Sequence, residues 1–186
     1  MRAVVVIAAL WLLAGCAEAP LPEPQATVGA VQALRMADGG KLNVGAFTPG
    51  PGAPRAMDQT ITVRAATQSA PEKSFARYLA DTIRAQLTAA GRFDPAAALT
   101  ISGVVTDAHV DSSLPKGHGR LAARFTLTRE GAVVFDKTLE VESTWDSNFV
   151  GAVAIPEAIN NYIGLYPQLA TKLFADPDFV AAARRR

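Results

Sequence analysis

The chain has 186 residues, 49% of them hydrophobic, and its 18 Lys and Arg nearly cancel its 17 Asp and Glu to leave a formal net charge of +1. So even a balance excludes the strong field that steers a protein toward nucleic acid or an anionic surface. One cysteine excludes an internal disulfide, and the length suits one domain with its own core.

Met1-Arg2 is a short basic head, and residues 3–13 (AVVVIAALWLL) are an unbroken apolar run. As a helix the run would be roughly 17 Å long, short of the roughly 30 Å hydrocarbon layer, so it reads as a secretory signal core and not a span. Leu13-Ala14-Gly15-Cys16 closes it, with two small residues before the cysteine. This stretch resembles the lipobox of bacterial lipoprotein precursors. The resemblance implies a signal peptide over 1–15, cleavage before Cys16, a diacylglyceryl group on the Cys16 sulfur and an acyl chain on the freed amine. Such an anchor exceeds the two lipid signals that stable attachment needs. Cleavage removes Arg2 and brings the formal charge to 0. Ala17 follows the cysteine where inner-membrane retention uses aspartate, so the resemblance favours the outer membrane, with the domain facing the periplasm. The expected partners are the membrane, through the lipid, and an envelope protein; nucleic acid is not expected, nor any cofactor beyond the covalent lipid.

Residues 16–40 read as the lipidated cysteine and a tether. Pro20, Pro22 and Pro24 make its start extended and stiff, about 3.1 Å per residue. The spacing of Val28, Val31 and Leu34 predicts a short helix ended by Gly39-Gly40. Residues 41–47 alternate as a strand, the TPGPGAP run over 48–54 breaks it, and 60–65 alternate again. A helix is predicted over 69–91, capped by Ser69 or Ser74. Phe75, Leu79, Ile83 and Leu87 form its apolar stripe, Tyr78 and Thr82 widen it, and Gly91 ends it in a left-handed turn. Strands follow over 99–106, 120–128 and 133–142, each with one greasy and one mostly polar face, the last two joined by a hairpin turn at 129–131. In the third, Val133, Phe135, Leu139 and Val141 are expected to share the greasy face.

Pro156 is expected to open a second long helix, with Ile159, Tyr162, Ile163, Tyr166, Leu169, Ala170 and Leu173 as its stripe and a kink at Pro167. The predicted whole is one α+β domain over 41–180, with 181–186 as a basic tail. Its architecture is a two-layer sandwich: a mostly antiparallel four- to five-stranded sheet with two helices on one face.

Val44-Gly45-Ala46-Phe47, Ile101-Ser102-Gly103, Ala123-Arg124-Phe125, and Trp145 with the run Gly151-Ala152-Val153-Ala154-Ile155-Pro156 resemble a family of uncharacterised bacterial lipoproteins. The layout is also similar to the accessory lipoproteins of lipopolysaccharide translocation and of lipid-transporting ABC systems. These resemblances imply a non-catalytic accessory or binding subunit of an envelope machine, and carry over no functional residue beyond the lipobox. The alternative is a carrier of a lipid or other hydrophobic ligand held between helices and sheet, and after it a metal-dependent enzyme.

Three groups of residues are candidates for chemistry. Asp107, His109 and Asp111 share parity at a strand end, with His118 in the following loop; two carboxylates and an imidazole are donors that can hold a divalent metal. The preferred reading is a polar strand end in solvent. Trp145 and Phe149 flank a polar patch and offer a docking knob for a partner or ligand. The preferred reading there is a strand-to-helix corner whose aromatics cap the core. Arg120 and Arg124 share an outward face that fits phosphate or carboxylate ligands, against the plainer reading of a solvated face answered by Glu140 and Glu142. No nucleophile elbow, phosphate loop or dinucleotide fingerprint is present, so no catalytic residue is assigned.

Overall fold

The computed structural model describes residues 21–184 apart from 38 and 54. The signal, Cys16 and the start of the tether lie outside the described residues. Twelve elements follow in order: α1 (Val28–Met36), β1 (Asn43–Pro49), α2 (Arg55–Gln59), β2 (Thr60–Val63), β3 (Ala66–Ser69), a 3-10 turn (Pro71–Lys73), α3 (Phe75–Ala89), β4 (Leu99–Asp111), β5 (Lys116–Arg129), β6 (Ala132–Asp146), α4 (Gly151–Ala175) and α5 (Pro177–Ala183).

The main sheet has four strands in the order β1-β4-β5-β6. Two of its pairings are antiparallel; β1 lies parallel to β4, with α3 in the connection between them, as a parallel neighbour requires. The expected α+β sandwich is therefore the observed one. The predicted strand over 60–65 does not join this sheet. It is the first arm of a separate two-stranded hairpin, β2–β3, which turns at Arg64 with φ of 54°.

Helix α3 starts later than its earliest predicted cap. Ser69 ends β3, and Ser74 is the cap, its Oγ accepting from the Arg77 N–H at 3.1 Å. Gly91 does end the helix, at φ of 70°. Helix α4 starts five residues before Pro156 and continues through Pro167 as one element of 25 residues. Pro156 has no N–H to offer the carbonyl of Ala152, but Ala152 is exposed, so water meets that carbonyl at little cost. Among the described residues no helix is long and apolar enough to cross a membrane.

Phe75, Leu79, Ile83 and Leu87 of α3 and Tyr162, Tyr166, Leu169 and Leu173 of α4 are buried against Ile101, Leu121, Phe125, Leu127 and Leu139 of the sheet. Helix α1, expected as a short helix, adds Ala30 and Leu34, and α5 adds Phe179 and Ala183, so the helical layer holds more than the two long helices expected on the sheet. Val133 departs from its expected greasy face. The register between β5 and β6 slips at Leu127/Thr128 and leaves Val133 60% exposed.

Three tyrosines sit at the heart of the helical layer. Tyr162 and Tyr166 share a 2.9 Å hydrogen bond between hydroxyls, and Tyr78 packs edge-on to Tyr166 with ring centroids 5.0 Å apart. Burial pushes the Tyr162 hydroxyl up to about 12 and the Tyr166 hydroxyl well above the ordinary value.

The chain before α1 is fastened along α3. Tyr78 Oη donates to the Pro22 carbonyl at 3.0 Å, Gln86 Nε2 donates to the Gln25 carbonyl at 3.2 Å, and the Thr27 N–H donates to Gln86 Oε1 at 2.8 Å. The segment thus enters beside the first turn of α3 and runs toward that helix's C-terminus. Arg92 then fixes the end of α1, donating from Nη1 to the carbonyls of Leu34 and Ala37 at 2.9 and 3.2 Å.

Candidate functional site

The outer face of the sheet carries the predicted arginines, and each has carboxylates across the strand. Arg124 grips Asp136 with two parallel bonds, Nε to Oδ1 at 2.6 Å and Nη2 to Oδ2 at 2.5 Å. Arg120 reaches Glu140 with Nη2 at 2.6 Å, while its Nε lies 3.4 Å from Glu142 and 3.5 Å from Asp107. The hydrogen bonds from these arginines hold the Asp136 and Glu140 carboxyls below the usual range. Glu140 and Glu142 thus answer Arg120, and Asp136 answers Arg124.

A bulge explains where Asp107, His109 and Asp111 go. Their parity matches the inward Val105, but the β4–β5 register shifts between Val105 and Asp107, which turns all three residues outward. Ala108 and Val110 then pack against the core in their place. The three side chains take separate roles. Asp107 faces Arg120, and Asp111 accepts from the Ser113 hydroxyl at 2.8 Å and the Ser113 N–H at 3.0 Å. Those Ser113 bonds, the hydroxyl first, lower the Asp111 carboxyl. His118 Nε2 lies 3.8 Å from Glu142. Among the described residues no group of three or more His, Cys, Asp or Glu stands close enough to hold a metal ion.

Trp145 and Phe149 part company. Trp145 is buried with Val63 and Ala158, flat against Gly117 of the neighbouring strand. Phe149 is 83% exposed, and Val150 and Val153 after it are 55% and 51% exposed. The corner aromatics therefore do not both cap the core: one does, and the other projects.

What holds Phe149 outward is Arg64, which the sequence reading passed over. From the β2–β3 turn its guanidinium donates to the carbonyls of Asn148 at 2.7 Å, Ser112 at 3.2 Å and Phe149 at 3.2 Å, and to the hydroxyls of Ser112 and Ser147 at 3.2 and 3.4 Å. The Ser147 hydroxyl donates to the Ser112 carbonyl at 2.8 Å, and the Ser147 N–H to the Pro115 carbonyl at 3.0 Å. One cation thus ties the loop after β4 to the loop after β6. The first loop presents Leu114, 52% exposed; the second presents Phe149.

A groove of about 760 Å³ lies on the outer side of α3, between that helix and the segment before α1, lined by Leu21, Pro24, Pro71, Tyr78, Arg84 and Ala89 among others. Between helices and sheet, where a carried ligand was expected, Phe75, Tyr162 and Tyr166 pack ring against ring.

No family model matches the chain, and no curated protein matches it in sequence. Solved structures do resemble it. A Xanthomonas campestris protein of the DUF330 family is 12% identical with a TM-score of 0.55, over 87% of this chain and 91% of that one. A hypothetical protein of Chlamydia trachomatis is 8% identical with a TM-score of 0.50, over 77% and 99%. A minor lipoprotein from Acinetobacter baumannii is 12% identical with a TM-score of 0.43, over 74% and 90%. The likeness to the Xanthomonas and Chlamydia proteins is one of fold, the mixed α/β fold described above.

Proposed function

We propose that the chain is a lipid-anchored envelope lipoprotein that works by binding, without catalysis, as an accessory subunit of an envelope assembly or transport machine. The observation that carries this reading is the apolar run ending in Leu13-Ala14-Gly15-Cys16, followed by a proline-rich stretch whose far end is fastened to α3. That fastening passes the hold of the anchor to the folded domain. The charged candidates support the same reading, since Arg120, Arg124, Asp107 and Asp111 are each engaged with a neighbour on an exposed face. The outer membrane, periplasmic side, is the proposed location, and an envelope protein the proposed partner.

Cell fractionation tests the anchor. Cys16→Ser moves the protein from the membrane fraction to the soluble periplasm with an unchanged circular dichroism spectrum; retention in the membrane fraction contradicts the reading. Crosslinking in intact cells then tests the adaptor role, which predicts one recurrent envelope partner. The groove along α3 favours a second reading, a carrier of a hydrophobic ligand, because its volume lies within the range of small-molecule sites. That reading predicts bound lipid in mass spectra of gently extracted protein.

A further inference from the structure

From the course of the chain we infer that Leu114, Phe149, Val150 and Val153 form the face the domain turns to the bilayer, dipping into the headgroup–acyl boundary of the membrane that holds the Cys16 lipid. The inference rests on the proposed lipidation of Cys16.

The topology places several segments at one pole. Strand β4 ends there at Asp111, β5 begins at Lys116, β6 ends at Asp146 and α4 begins at Gly151. Helix α3 runs opposite to β1, since Lys41 Nζ reaches the Gly91 carbonyl past its C-terminus while Phe47 lines a hollow with Ser74 at its N-terminus. Because β1 is parallel to β4 and ends opposite Val105, the first turn of α3 lies toward the end of the sheet where Asp111 stands, six residues further along β4. Leu21 stands beside that turn, with Pro71 and Tyr78.

From Pro71, beside Leu21, strand β3 leads back to the turn at Arg64, which is bonded to the Phe149 carbonyl. The seven residues from Pro71 back to Arg64 span at most roughly 23 Å. Five residues separate Cys16 from Leu21, and fully extended they reach roughly 18 Å at most. A lipid anchored at Cys16 therefore leaves the bilayer within reach of this pole. Four apolar side chains, each more than half exposed, project at that pole. The nearby charges have partners: the Arg64 guanidinium is bonded into the loops, Lys116 is paired with Asp146, and Asp111 accepts from Ser113. Apolar side chains on a rigid corner, held close to a membrane by a separate anchor, add a second contact whose local concentration the tether sets.

The test uses the full lipidated chain reconstituted in phosphatidylethanolamine–phosphatidylglycerol vesicles carrying acyl-chain nitroxides. Val150→Cys and Val133→Cys are each labelled with an environment-sensitive fluorophore; Val133 is the second residue of the strand that Asp146 ends, so the two sites stand roughly 40 Å apart. The label at 150 is expected to be quenched and blue-shifted and the label at 133 to stay aqueous. Adding Phe149→Asp should lower the docked population at 150 by roughly tenfold, the factor for about 1.4 kcal/mol of lost apolar burial. Equal aqueous exposure at 150 and 133, with the lipid on Cys16 confirmed by mass spectrometry, overturns the inference and leaves the anchor reading standing. An unmodified Cys16 overturns both.

Discussion

Gly117 faces Trp145 directly across β5 and β6, and a Cβ on that glycine would stand 2.3 Å from Cε2 of the indole. The ring occupies the space where a side chain would be, so the glycine is there for close approach. Gly117→Ala should destabilise the domain by about 1–3 kcal/mol in urea titrations, as overpacking does. The indole N–H has no partner among the described residues. Trp145→Phe should therefore cost clearly less than Trp145→Ala; equal losses would show that ring packing is not what Trp145 contributes.

Arg64 holds a left-handed backbone, φ of 54°, while its side chain joins two loops. Arg64→Ala should lose the bonds and keep the strain, costing about 2–3 kcal/mol. Arg64→Gly loses the same bonds but relieves the strain, so it should be milder by about 1 kcal/mol. Both should raise amide exchange in 147–150 relative to the sheet. Unchanged exchange there would mean the loop holds itself.

Asp176 caps α5, its carboxylate accepting from the N–H groups of Asp178 and Phe179, and pairs with Lys137 at 2.7 Å. Burial works to raise this carboxyl, but the Lys137 bond and the two backbone bonds outweigh it and hold it below 3.8. A depressed carboxyl adds stability that is present above its unfolded value and lost as pH falls through the folded one. The wild type should therefore weaken as pH falls below about 4, with a flatter profile there for Asp176→Asn. Asp176→Ala should cost about 1–2 kcal/mol at neutral pH through the lost cap.

Tyr78, Tyr162 and Tyr166 are the three tyrosines of the chain, and burial raises all of their hydroxyls. Below pH 10 this has no effect on stability. Above it the unfolded state sheds protons that the folded state keeps, so stability falls as pH rises toward 12. Absorbance at the tyrosinate band should stay low near pH 10 and rise together with loss of the circular dichroism signal. A rise at pH 10 in folded protein would contradict the burial of these rings.

The helical stripes were readable because a 3.6-residue period brings Phe75, Leu79, Ile83 and Leu87 to one side whatever they pack against. Strand faces were readable for the same reason of parity, and parity fails where a residue is inserted. Thr106 is such an insertion, and it moved Asp107, His109 and Asp111 to the outer face. The direction of β1 was not legible, since alternation is the same in parallel and antiparallel strands. Pro156 misled because proline favours a first turn, whereas here the exposed Ala152 carbonyl tolerates it one turn further in. Arg64 carried no local signal at all: its partners lie 48 and 85 residues away, a relationship only the folded chain creates.

The paired charges on the open side of the sheet have a bearing on how a partner would find it. With Arg124 matched by Asp136, Lys116 by Asp146, and Arg120 alone among Asp107, Glu140 and Glu142, these groups leave a modest excess of negative charge around Arg120. Recruitment there would favour a partner with a basic patch, and its rate should fall as electrolyte is added.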